Sequence, residues 1–125
     1  MKSSRFPKAI VAAIRDGKIL GIRTGTKPHR IIGIWAVVVE GRVFVRSYTL
    51  KPRSWYRTLL EEPRGVIEVE GRQIRVRPVF TRSERLKALV DRAYAEKFPT
   101  PGSRQFVEGF KAKKRRDTTT ELVPL

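Results

Sequence analysis

Lys27, His29 and Arg30 stand ahead of one strand-like run, Ile31 to Val39, while Ser47, Lys51, Arg53 and Ser54 lie at and beyond the end of a second, Val43 to Tyr48. Glu40-Gly41 between the runs supplies the turn residue that a tight hairpin needs, so the outer ends of both strands are expected to fall together. Cationic and hydroxyl side chains gathered there suit an anion such as a phosphate, which takes charge-assisted hydrogen bonds. The plainer alternative is a set of ordinary loop charges, with His29 a polar surface residue rather than a phosphate ligand or proton donor. Trp35, Tyr48, Trp55 and Tyr56 sit close by in sequence and suit the border of a flat ring, or else belong to the core.

The totals narrow the chemistry. The 125 residues fit one domain, 1–125, with a real core, and 40% of them are hydrophobic. No apolar run has the length of a membrane span, and MKSSRFPKAI lacks the apolar stretch of a signal peptide, so the expected location is cytoplasmic. Cysteine is absent and histidine occurs once, which removes disulfides, thiol catalysis, iron–sulfur clusters and thiolate zinc sites and argues against a structural zinc. A Ser-His-Asp triad would have to use His29, and no nucleophile elbow lies near it. With 28 Lys and Arg against 12 Asp and Glu, the formal net charge is +16, and a polyanionic partner enters consideration.

The elements that must position these residues read as follows. Pro7 opens a helix from Lys8 to Asp16, and a first strand spans about Lys18 to Thr24. Ser54 caps a short helix from Trp55 to Glu61, with Trp55, Leu59 and Leu60 facing inward. Ile67 and Val69 alternate with Glu68 and Glu70, then Gly71 turns the chain into Ile74 and Val76 alternating with Arg75 and Arg77. Ser83 precedes a long helix from Glu84 to Lys97, and Arg104 to Phe110 forms another turn or two. The basic run Lys111 to Arg116 is a solvated connection or a basic patch, and Asp117 to Leu125 forms a last strand. Six strands with meander-like turns point to a mainly β (α+β) fold: a six-stranded antiparallel barrel with helices across its openings.

The order of TGTKPHR, IWAVVVEGRVFVRS and SWYRTLLEEPRGVIEVEGR resembles the flavin-binding split β-barrel superfamily, which includes pyridoxamine-phosphate oxidase-like proteins and deazaflavin-dependent nitroreductases. Within it the chain is most similar to a small group of uncharacterised proteins. Thr24, Gly25 and Lys27 match the nitroreductase stretch Thr-Gly-Arg-Lys-Ser-Gly, with Arg30 as the nearby base, whereas Thr26 and Pro28 depart from it. Trp55, Tyr56, Leu59 and Pro63 mirror a second motif in which Thr58 and Glu62 replace asparagines. The resemblance implies FMN or a deazaflavin as cofactor, a small-molecule acceptor, a homodimer and oxidoreductase activity. It places Thr24, Lys27, His29, Arg30, Ser47, Lys51 and Ser54 at the phosphate and ribityl groups, with Trp35, Tyr48 and Trp55 beside the ring. Two alternatives stand beside it: a basic barrel binding nucleic acid through Arg46, Arg75, Arg77 and Lys113 to Arg116, and a cofactor-free interaction module.

Overall fold

A computed structural model describes residues 5–25 and 30–125. In chain order the elements are α1 (Lys8–Asp16), β1 (Leu20–Thr24), β2 (Ile32–Ile34), β3 (Ala36–Val39), β4 (Arg42–Val45), α2 (Trp55–Glu61), β5 (Gly65–Val69), β6 (Arg72–Phe80), α3 (Glu84–Lys97), α4 (Pro101–Phe110), α5 (Lys113–Arg116) and β7 (Thr120–Pro124). The seven strands form one antiparallel sheet in the order β2-β1-β5-β6-β7-β4-β3.

The expected count of six strands is corrected to seven, and Trp35 is the reason. The run Ile31 to Val39 is not one strand: Ile34 pairs with Leu20 of β1, whereas Ala36 pairs with Val45 of β4. The two ends of the sheet order are therefore neighbours along the chain, and the sheet curls into a nearly closed barrel at that corner. Both two-residue turns place a glutamate and a glycine at positive φ, Glu40-Gly41 (55° and 72°) and Glu70-Gly71 (50° and 77°). Such angles match the twist of the flanking strands.

Inside the barrel, Leu20, Ile22, Val43, Val45, Ile67, Val76 and Leu122 pack with Ile10 and Ile14 of α1 and with Trp55 and Leu59 of α2. A second core lies outside it, where Val37, Val39 and Phe44 meet Leu86, Val90 and Tyr94 of α3 and Val107 and Phe110 of α4. Strands β3 and β4 are thus covered on both faces, which explains the unbroken apolar runs Ala36 to Val39 and Val43 to Val45, while β5 and β6 keep one wet face and alternate. Leu60, expected to face inward, is exposed, because the inward stripe of a helix of seven residues is filled by Trp55 and Leu59. Ser54 and Ser83 each accept a hydrogen bond from the backbone N–H three residues on, the N-caps of α2 and α3.

Candidate functional site

A cleft of about 470 Å³ opens between β2, the loop after β4, the start of α2 and α4. Its walls are aromatic and aliphatic: Trp35 at the barrel corner, Tyr48 from the loop, Trp55 from α2, Phe106 and Phe110 from α4, and Ile32 and Ile34 along β2. The indole of Trp35 stacks on Phe98, with centroids 4.0 Å apart and planes within 7°, and meets the Phe106 ring edge-on at 5.9 Å. Tyr48 presents edges to Phe106 at 5.3 Å and Phe110 at 5.6 Å, and the Arg115 guanidinium lies 4.0 Å over its face. Arg115 Nε also donates to the Tyr48 carbonyl at 2.7 Å, so α5 holds this wall by backbone and ring together.

Beneath the cleft lies Arg46, whose side chain is fully buried. Its Nη1 donates to Asp91 Oδ1 at 2.5 Å and to the Phe110 carbonyl at 3.1 Å, Nη2 to the Lys87 carbonyl at 2.9 Å, and Nε to Thr119 Oγ1 at 2.7 Å. Burial pushes the pKa of this guanidinium below its ordinary value, and the Asp91 carboxylate opposes that shift. The expectation that Arg46 joins Arg75 and Arg77 in an outward basic stripe is corrected: Arg46 points inward, while Arg75 and Arg77 share the exposed face of β6. Next to it, the Tyr94 hydroxyl accepts from the Arg46 backbone N–H at 3.1 Å and donates to the Trp35 carbonyl at 2.7 Å.

The residues singled out in the sequence separate into three groups. Trp35, Tyr48 and Trp55 converge on the cleft. Thr24, Ser47 and Ser54 are buried and engaged locally: Thr24 Oγ1 donates to the Trp55 carbonyl at 3.1 Å, Ser47 Oγ donates to the Thr49 carbonyl at 2.6 Å, and Ser54 Oγ accepts from Arg57 N–H at 3.2 Å. Arg30, just ahead of β2, and Lys51, two residues beyond Thr49 of the cleft wall, are exposed. Lys27 and His29 lie outside the described residues. Sequence reasoning missed Phe98 as the partner of Trp35, and Phe106 and Phe110 as walls of the cleft. Their i, i+4 spacing on α4 was the available signal.

Among the described residues, no group of three or more His, Cys, Asp or Glu side chains is placed to hold a metal ion, and no helix is long and apolar enough to cross a membrane.

The seven strands thus form a nearly closed antiparallel barrel with an aromatic cleft beside its corner. It is similar to the crystal structure of conserved hypothetical protein Rv2991 from Mycobacterium tuberculosis, with a TM-score of 0.62 and 11% identity, covering 100% of this chain and 84% of that one. It is also similar to an FAD-binding protein (mll6688) from Mesorhizobium loti, with a TM-score of 0.54 and 10% identity, covering 94% of this chain and 86% of that one. Residues 9–122 match the family described as "Uncharacterized protein conserved in bacteria (DUF2255)", and the chain belongs to that family. No curated protein matches it.

Proposed function

We propose that the cleft binds the ring of a flavin-type cofactor, FMN or a deazaflavin, and that the protein uses it to reduce or oxidise a small acceptor. One observation carries this reading: an aromatic cleft of about 470 Å³, within the range of roughly 300–1,000 Å³ typical of small-molecule sites, on a fold similar to that of an FAD-binding protein. Such a group supplies hydride transfer when bound, and the chain's part is to bind, orient and keep water away. Trp35, Tyr48 and Trp55 border the ring, with Phe106 and Phe110 completing the enclosure. Arg30, just ahead of β2, and Lys51, two residues beyond Thr49 of the cleft wall, are exposed and add positive charge that favours an anionic cofactor. The shortage of histidine and the lack of cysteine are compatible with a reaction whose chemistry belongs to the cofactor.

The same reading includes a homodimer. Ile32, Tyr48 and Phe106 are 44%, 38% and 38% exposed at the cleft, an apolar rim that a second copy would cover.

The test is a titration of the protein with FMN, FAD and a deazaflavin at physiological salt, following both cofactor fluorescence and the emission of Trp35 and Trp55. Saturable mutual quenching by one of them, weakened in Trp35→Ala, is the expected result. Absence of quenching by all three would overturn the reading.

A further inference from the structure

A second cavity, of about 410 Å³, shares Thr49 as a wall with the aromatic cleft. Its lining differs in kind. Tyr56 and Arg57 come from α2, Lys114 from α5, and Asp117 and Thr118 from the turn before β7. Three of the four basic residues of α5 are already committed. Lys113 Nζ pairs with Asp117 Oδ2 at 3.1 Å, Arg115 holds the Tyr48 carbonyl and ring, and Arg116 binds Glu84 at 2.6 Å and Asp91 at 3.0 Å. Lys114 is the exception, for its ammonium has no hydrogen-bond or ion-pair partner among the described residues, and neither has the Arg57 guanidinium. The one carboxylate in the wall, Asp117, is offset by Lys87 and Lys113, each at 3.1 Å. The cavity therefore offers two uncompensated cations to whatever passes Thr49.

We infer that the two cavities form one elongated site, in which a planar ring occupies the aromatic cleft and its phosphate-bearing tail passes Thr49 to reach Arg57 and Lys114. The ligand class is a phosphorylated flavin rather than a free ring, and this assignment rests on the flavin reading of the cleft. It differs from the placement implied by the resemblance, which puts phosphate at Lys27 and Arg30. A guanidinium with its planar donors and a mobile ammonium are complementary partners for a phosphate monoester. Both are exposed, so replacing them leaves the core untouched.

The experiment is a calorimetric titration comparing each flavin with and without its phosphate: FMN against riboflavin, and a phosphorylated deazaflavin against its dephosphorylated form. The expected wild-type result is binding tighter for the phosphorylated form by about tenfold or more, since two charge-assisted contacts remain favourable after solvent screening of exposed side chains. In the double variant Arg57→Ala with Lys114→Ala, that preference disappears while affinity for the dephosphorylated ring is unchanged. A phosphate preference that survives in this variant and vanishes in Lys27→Ala with Arg30→Ala would overturn the inference and leave the flavin reading standing. Equal wild-type affinity for the two forms would do the same. Failure of every form to bind would remove the flavin reading, and the inference with it.

Discussion

The guanidinium of Arg46 meets the carboxylate of Asp91 at 2.5 Å, and the arginine side chain has no exposure to solvent. Through Asp91 and the Lys87 carbonyl it grips α3, through the Phe110 carbonyl α4, and through Thr119 the approach to β7. The second oxygen of Asp91 accepts from Arg116 Nε at 3.0 Å, which extends the network to α5. Helix α4, which walls the cleft, and α5, which holds Tyr48, are thereby tied to the residue preceding Ser47 and Tyr48.

Removing this arginine is expected to be costly. Desolvating a charge is unfavourable, and breaking a buried pair leaves the partner uncompensated, which typically costs about 3–5 kcal/mol. Arg46→Ala should lower the stability measured by urea denaturation by that order. Arg46→Lys should recover little, because one ammonium cannot reach four acceptors arranged around a planar fork. Wild-type midpoints in both variants would refute the structural role.

The buried phenol of Tyr94 gives a pH prediction at the alkaline end. Burial pushes its pKa well above the ordinary value of 10.0, since the phenolate would form inside the second core. A group whose folded pKa is raised contributes stability that is complete below the unfolded value and is lost as pH rises past it. Stability should therefore decline from about pH 10 upward, and absorbance titration should show Tyr94 ionising only as the protein unfolds. Tyr94→Phe should remove that component and, by deleting the bonds to Arg46 N–H and the Trp35 carbonyl, cost about 1–3 kcal/mol at neutral pH. Smooth ionisation of all tyrosines in the folded protein would count against it.

Most element boundaries were legible because they are written in local chemistry. Ser54 and Ser83 cap where capping residues should, Gly41 and Gly71 turn where φ must be positive, and the 3.6-residue period from Leu86 to Tyr94 marks α3. The break at Trp35 was not legible. Both halves of Ile31 to Val39 are equally strand-like, and the change of partner from β1 to β4 follows from closing the barrel, a long-range constraint with no local signature. Arg46 was hidden for the same reason. An arginine following a strand reads as solvent-facing until Asp91, Lys87, Phe110 and Thr119, all at least forty residues away, are brought around it. Of the candidate site, the aromatics after β2 and β4 were readable. Their enclosure by α4 was not, because Phe106 and Phe110 look like ordinary core anchors in sequence.

The acid end rests on surface pairs. Hydrogen bonds from Arg85, Arg116 and Lys113 hold the carboxyl groups of Glu40, Glu84 and Asp117 below their ordinary values of 4.5, 4.5 and 3.8. Groups with a lowered folded pKa stabilise above their unfolded values and cease to do so as pH falls through the folded ones. The denaturation midpoint should stay level from about pH 7 to 5 and fall below about pH 4.5, less steeply at about 1 M salt, where exposed pairs are screened. Glu84→Gln and Glu40→Gln together should flatten the acid limb. An acid limb identical to wild type in that double variant would show that these pairs carry none of it.

Gly109 offers the sharpest separation of cleft from fold. In the last turn of α4, replacing glycine by alanine favours the helix by up to about 1 kcal/mol. Here an added Cβ would stand 2.7 Å from Cε2 of Tyr48, closer than atoms tolerate, and 3.3 Å from its Cζ, a tight contact. The ring has little freedom to yield on its own side, since Arg115 lies over its face and Phe106 and Phe110 meet it edge-on. It must give way by moving at the cleft wall. Gly109→Ala should thus leave overall stability within about 1 kcal/mol of wild type, helix gain offsetting overpacking, while flavin affinity falls by about tenfold or more. Adding Tyr48→Ala removes the clash, so the two substitutions should be coupled by roughly 0.5–3 kcal/mol in a double-mutant cycle on stability. Unchanged flavin binding in Gly109→Ala would mean that Tyr48 does not border the bound ring, whatever else the cleft accommodates.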